Sequence, residues 1–166
     1  MKTVLTATIF VALASAAWAD GHCAAGKTLT DGTLTIATGT PAYYPWVIDD
    51  APESGKGFEA AVAYALAAEM GFAADAVTWV RTSFDEAIQP GAKPFDINMQ
   101  QYSITEERDK VVDFSVPYYT APQAVLTTQA VIDGGATGTM DSLKGLKMGV
   151  VASATAQTDV MEQNPP

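Results

Sequence analysis

The sequence predicts an α/β fold in which a largely parallel sheet is covered by helices, and three observations point there. The runs "TLTIAT" at 33–38, "AVTWV" at 76–80 and "FDINM" at 95–99 are short, apolar and rich in β-branched residues, as buried strands are. Between them lie "FEAAVAYALAAEMG" and "SFDEAIQ", two stretches with helical spacing or helical caps. A strand, helix, strand, helix, strand order with connections of this length is what βαβ units require.

The first strand opens into "GTPAYYPW", a loop with two prolines, and Gly55 and Gly57 bracket a turn. The first helix carries apolar residues at Phe58, Val62, Ala65, Leu66 and Met70, spaced by three and four, and Gly71 stops it. Ser83 with Glu86 three residues on forms a capping-box pattern for the second helix, which Pro90 and Gly91 end. The third strand gives way to Gln100, Gln101, Tyr102 and Ser103, then a helix start near Glu106, then "VVDFSVPYY" as a further apolar strand. Further on, "QAVLTTQAV" reads as strand-like and "DGGATGT" as a glycine-rich excursion. "MDSLKG", a strand "LKMGVV" and a helix "SATAQTDVMEQ" then begin a second unit. One strand and one helix after such a link leave apolar faces uncovered, so the second lobe is expected to be incomplete in this chain.

The first 19 residues combine a basic start at Lys2, an apolar middle and Ala17 and Ala19 at small-residue cleavage positions. They read as a secretory signal peptide cleaved after Ala19. Thr3, Thr6, Thr8 and Ser15 interrupt the apolar stretch, which is short against the ~20 apolar residues of a spanning helix, so the chain is expected not to span a membrane. The formal net charge is −10, and loss of Lys2 makes it one unit more negative. That balance weighs against phosphate backbones and anionic lipid, so nucleic acid is not an expected partner. Cys23 is the one cysteine and His22 the one histidine. A lone thiol in an exported chain suggests an intermolecular bond or a missing partner, and His22 directly before it argues against lipidation. Neither residue supports a metal site or a histidine-based nucleophile triad, so no catalytic residue, metal or cofactor is expected.

Three blocks carry a resemblance: "GKGFEAAVAYALAAEMG", "FDINMQQYSITEERDKVVDFSVPYY" and "DSLKGLKMGVVASAT". Together they resemble the periplasmic amino-acid-binding proteins of ABC importers, the extracellular solute-binding proteins of family 3. The likeness runs from residue 33 to about 163. It implies two lobes with parallel-rich sheets flanked by helices, closing on one amino acid and docking, as a monomer, on an ABC transporter permease. The first lobe would cover 33–122 after an N-terminal segment at 20–32, with a hinge crossover at 123–128 and the start of the second lobe at 129–166. Ala61 departs from the family pattern, which has an acid at that place.

The resemblance also implies the site. A zwitterion taken out of water loses hydration on both charges, so its carboxylate needs charge-assisted donors. Arg108 offers a planar fork for it, unless it sits in a solvated pair with Glu106, Glu107 or Asp109. Ser103 is a neighbouring hydroxyl donor, a helix N-cap, or both. Gln100 and Gln101 replace smaller residues common in relatives, with Gln101 favoured to face the ligand, and Tyr102 stands where a smaller apolar residue is usual. Tyr43 and Trp46 are aromatic candidates for stacking on the ligand, or packed anchors of the proline loop. Thr155 corresponds to a family threonine meeting the carboxylate from the other lobe, and Ser153 is an N-cap candidate beside it. The absence of an acid in the loop before Asp49 and Asp50 favours a polar or neutral amino acid over a cationic one. The alternative from another class is a cyclohexadienyl dehydratase-like enzyme on the same scaffold, which needs a general acid in the cleft.

Overall fold

Strand β1, Leu34–Gly39, is buried along all six residues, the pattern of a central parallel strand covered on both faces. In the computed structural model, which describes residues 24–163, it lies in the middle of a three-stranded sheet of order β2-β1-β3. Strand β2, Val77–Thr82, pairs parallel with it from Leu34↔Val77 to Gly39↔Thr82. Strand β3, Ile97–Asn98, pairs parallel on the other side through Ile36↔Ile97 and Ala37↔Asn98. The predicted leader, His22 and Cys23 lie outside the described residues.

Helix α1, Phe58–Glu69, links β1 to β2, and α2, Phe84–Ile88, links β2 to β3. The core gathers Leu34, Ile36, Ala63, Ala67 and Met99, with Val62, Met70, Phe72, Val77, Trp79 and Ile97 packed around them. The apolar stripe expected on α1 is only partly the one used. Val62 and Met70 pack on the core, but Phe58 is 39% exposed and Leu66 40%, while Ala60, Ala63 and Ala67 are buried. Alanines let the helix axis come close to the sheet, so on this helix small volume decides the packed face more than hydrophobicity does.

The start of α1 is capped by backbone rather than by a side chain. Phe58 donates its N–H to the Pro45 carbonyl, and Glu59 and Ala60 donate theirs to the Trp46 carbonyl. These are groups a helix N-terminus otherwise leaves unpaired. Gly57 makes the approach possible, because its φ is 106° and a Cβ there would lie 2.4 Å from the Trp46 carbonyl oxygen. At α2 the capping box read from the sequence is present, with Ser83 and Glu86 bonding reciprocally.

Other expectations are corrected. The cap of α3, Glu106–Asp109, is Thr105 and not Ser103; the Thr105 hydroxyl accepts the Arg108 N–H. Of the strand expected at 95–99, only Ile97–Asn98 is strand, flanked by the Asp96 and Met99 N–H groups donating to the Thr35 and Ala37 carbonyls. No strand forms at 111–119, 123–131 or 146–151 among the described residues, and Gln129–Asp133 is instead helix α4. Strand propensity needs a ladder partner to be realised, and Val116, Leu126 and Val151 are exposed with no neighbouring strand. Helix α6, Thr155–Gln163, falls where the sequence places it, while helix α5, Met140–Leu143, forms in "MDSLKG", a stretch to which the sequence assigns no element. Among the described residues no helix is long and apolar enough to cross a membrane.

Gly57→Ala forces both an unfavourable φ and a backbone clash, so it should lower unfolding free energy by about 2–3 kcal/mol. Urea denaturation of the two proteins measures it directly.

Candidate functional site

In an open parallel sheet, ligands bind outside the carboxyl ends of the strands. Here β1 ends at Gly39 and β3 runs out through Met99 into Gln100. Gln100 is buried and its amide nitrogen lies 3.1 Å from where a Cβ on Gly39 would stand, with the Pro41 carbonyl oxygen at 2.9 Å from the same point. No side chain fits at residue 39, where the Gln100 side chain and the Pro41 carbonyl close on the backbone. Gln100 also accepts a hydrogen bond from the Asn98 amide at 3.4 Å.

The chain turns sharply at Gln101, whose φ of 55° is left-handed. Its backbone N–H donates to Glu59 Oε1 at 3.0 Å and its side-chain amide donates to Glu59 Oε2. The Gln101 amide is thus engaged by protein. Tyr102 follows, its ring 4.2 Å from that of Phe84 and tilted by 31°, with its hydroxyl donating to the Phe84 carbonyl. Burial raises the Tyr102 hydroxyl's pKa above the usual tyrosine value, which keeps it a donor.

Arg108 is 8% exposed. One guanidinium nitrogen donates to the Ser103 carbonyl and another to the Ser153 carbonyl, each at 2.7 Å. The guanidinium carbon stands 5.4 Å from the Phe84 ring centre and 5.5 Å from that of Tyr102, a cation–π seat. Burial draws its pKa down while Tyr102 acts in the opposite sense, and a guanidinium stays protonated through such a shift. Among the described residues it forms no ion pair with Glu106, Glu107 or Asp109. The Ser103 hydroxyl is 3.3 Å from that of Thr155, which also accepts from the Gln123 amide at 3.1 Å. Ser153, at φ 61°, offers its carbonyl to Arg108 and its N–H to the Gln157 side chain. Arg108, Ser103, Ser153 and Thr155 therefore meet, although Arg108 and Ser153 are 45 residues apart in the chain.

Tyr43 and Trp46 are not brought to this group. Trp46 packs edge-on against Phe58 at 5.7 Å and Tyr119 at 4.9 Å, and Tyr43 is exposed. Their loop is held by Arg81, which donates to the Gly39 carbonyl at 2.8 Å and to the Asp50 carboxylate at 2.5 Å. Asp50 also accepts the Ala42 N–H at 2.8 Å. Sequence reasoning missed Phe84, whose signal is its place just past the carboxyl end of β2. It also missed the buried role of Glu59. Among the described residues no group of three metal-ligating side chains forms a metal site.

The family model for bacterial extracellular solute-binding proteins, family 3, matches residues 34–159. The chain is 28% identical over 157 residues to the "Lysine/arginine/ornithine-binding periplasmic protein" of Escherichia coli (strain K12), covering 94% of this chain and 55% of that protein. It is 33% identical over 136 residues to the "Putative ABC transporter arginine-binding protein 2" of the same organism, covering 80% and 51%. With the "Probable histidine-binding protein" of Campylobacter jejuni it shares 32% over 121 residues, covering 71% and 44%. The chain spans about half the length of the curated relatives it matches. No solved structure matches it.

Asp50's carboxyl is held below the usual aspartate range, first by the Ala42 N–H and then by Arg81. A carboxylate whose pKa is depressed by folding stabilises above its unfolded pKa, and that contribution is lost as pH falls through the folded value. The melting-temperature gap between wild type and Asp50→Asn should therefore hold steady above about pH 5 and close below about pH 4, as thermal scans across that range would record.

Proposed function

The chain belongs to the bacterial extracellular solute-binding proteins of family 3, and from that premise we propose that it acts in the periplasm as a receptor for a polar or neutral amino acid. It would deliver that ligand to an ABC transporter permease. The observation that carries this reading is the meeting of the buried Arg108 fork with Ser103, Ser153 and Thr155. A ligand carboxylate would take the donors that now rest on main-chain carbonyls, and the two hydroxyls would add neutral bonds beside it. A charge-assisted bond in such a place contributes ~1.5–3 kcal/mol.

Phe84 and Tyr102 give the ligand an apolar wall and keep water from Arg108. The segment 123–128, which leads from Gln123 toward α4, is where the two halves would hinge, with closure driven by contacts made on both sides at once. Support for an uncharged side chain comes from the residues around Gly39 and Gln101. Gln100 packs against Gly39, and the buried carboxylate nearby, Glu59, is already occupied by Gln101 and Tyr118. A lysine or arginine ligand would need a carboxylate free to meet it. The relatives' names all describe binding rather than turnover, which favours a receptor over a dehydratase on the same scaffold.

Thermal unfolding of the full-length protein with single amino acids tests the proposal. Glutamine, asparagine or serine should stabilise it by about 2.7 kcal/mol at a hundredfold excess over the dissociation constant, with lysine, arginine and histidine ineffective. Stabilisation by the cationic set alone would overturn the selectivity. Arg108→Met should abolish the ligand-dependent shift while the protein still folds; an unchanged shift in that variant would remove Arg108 from the site.

A further inference from the structure

Glu59 is a carboxylate with 1% of its surface exposed. Among the described residues no lysine or arginine pairs with it. It is satisfied instead by three hydrogen-bond donors: the Gln101 N–H on Oε1 at 3.0 Å, the Gln101 side-chain amide on Oε2, and the Tyr118 hydroxyl on Oε1. A buried anion requires such donors and in return fixes their positions. Its place in the first turn of α1, where the helix dipole favours negative charge, helps hold it there.

Two of the three donors belong to one residue, and that residue is in a conformation that side chains other than glycine rarely adopt. Gln101 has a φ of 55°. Gripping both its backbone N–H and its amide is a means of keeping it left-handed. The turn at Gln101 sets where the chain goes next, which is to Tyr102, Ser103 and then Arg108. The third donor, Tyr118, lies in the stretch that runs toward 123–128, so one carboxylate ties together helix α1, the exit from β3 and the approach to the second half of the chain.

We propose that Glu59 is a positioning residue of the binding site: by holding Gln101 in its left-handed turn it aims Ser103 and Arg108 at Ser153 and Thr155. It acts without touching ligand. This rests on the receptor reading for its effect on affinity, but the hold on Gln101 stands apart from it.

The test is a double-mutant cycle on the full-length protein, read by amino-acid affinity and by amide hydrogen exchange without ligand. Glu59→Gln turns one acceptor oxygen into a donor facing other donors. It should weaken affinity about tenfold or more and speed exchange at the Gln101 amide about tenfold, leaving Ile36 in β1 protected. Glu59→Asp, which keeps the charge but withdraws it by one methylene, should act in the same direction and serves if the glutamine variant does not fold. Glycine adopts positive φ freely, so in a Gln101→Gly background the same Glu59 change should cost less than about threefold in affinity. An equal loss in both backgrounds, or an unchanged Gln101 exchange rate, would overturn the proposal. If the wild-type protein binds no amino acid, the receptor reading falls, and the exchange measurement alone decides whether Glu59 holds Gln101.

Discussion

A guanidinium out of water must be surrounded by acceptors or lie over π-faces, and Arg108 has both. Its two 2.7 Å bonds go to carbonyls from distant parts of the chain, and Phe84 and Tyr102 carry its face. Main-chain carbonyls are weaker partners for it than a carboxylate. The charge is therefore housed at tolerable cost yet retains an unmet preference for an anion. On the receptor reading proposed above, that imbalance would make this buried arginine a recognition group rather than a structural pin. Much of the surrounding architecture serves to bring those acceptors and rings to one place.

The parallel sheet does this through topology. Strands β1, β2 and β3 all point the same way, so the loop with Trp46, the start of α2 with Phe84 and the exit with Gln100 to Ser103 emerge at one edge. The last two bring Phe84, Tyr102 and Ser103 to Arg108, whereas the loop packs Trp46 on Phe58 and Tyr119. Glu59 and Arg81 then fix directions within that edge, the first by seizing the turn at Gln101 and the second by pinning the loop to Gly39 and Asp50.

The sheet was legible because its signals are local and repeated: "TLTIAT" and "AVTWV" carry their own strand pattern, and Ser83 with Glu86 announces a helix. Segments such as "LKMGVV" carry the same local preference, but a strand exists only beside another strand, and no composition states where the partner is. The alanine face of α1 was misread for a related reason, since hydropathy ranks Phe58 and Leu66 above Ala63 while the distance between helix and sheet ranks them below. Arg108, Ser103, Ser153 and Thr155, which the fold gathers, were all named from motif and resemblance. Phe84 and the buried part of Glu59 were not, because each matters through a neighbour reached only after folding. Gln101 was read as facing a ligand, whereas its amide is turned onto Glu59.

The absent side chain at Gly57 has a mechanical meaning for the loop beside it. With Pro45 and Trp46 closing off the helix start by their carbonyls, the proline-rich loop and α1 share one stiff joint, so the loop is poorly suited to flap like a shutter. On the proposed receptor reading, a ligand would then enter by whole bodies swinging apart. The residence time of a captured molecule would be governed by that slow, large-scale swing rather than by the fast jitter of a surface segment.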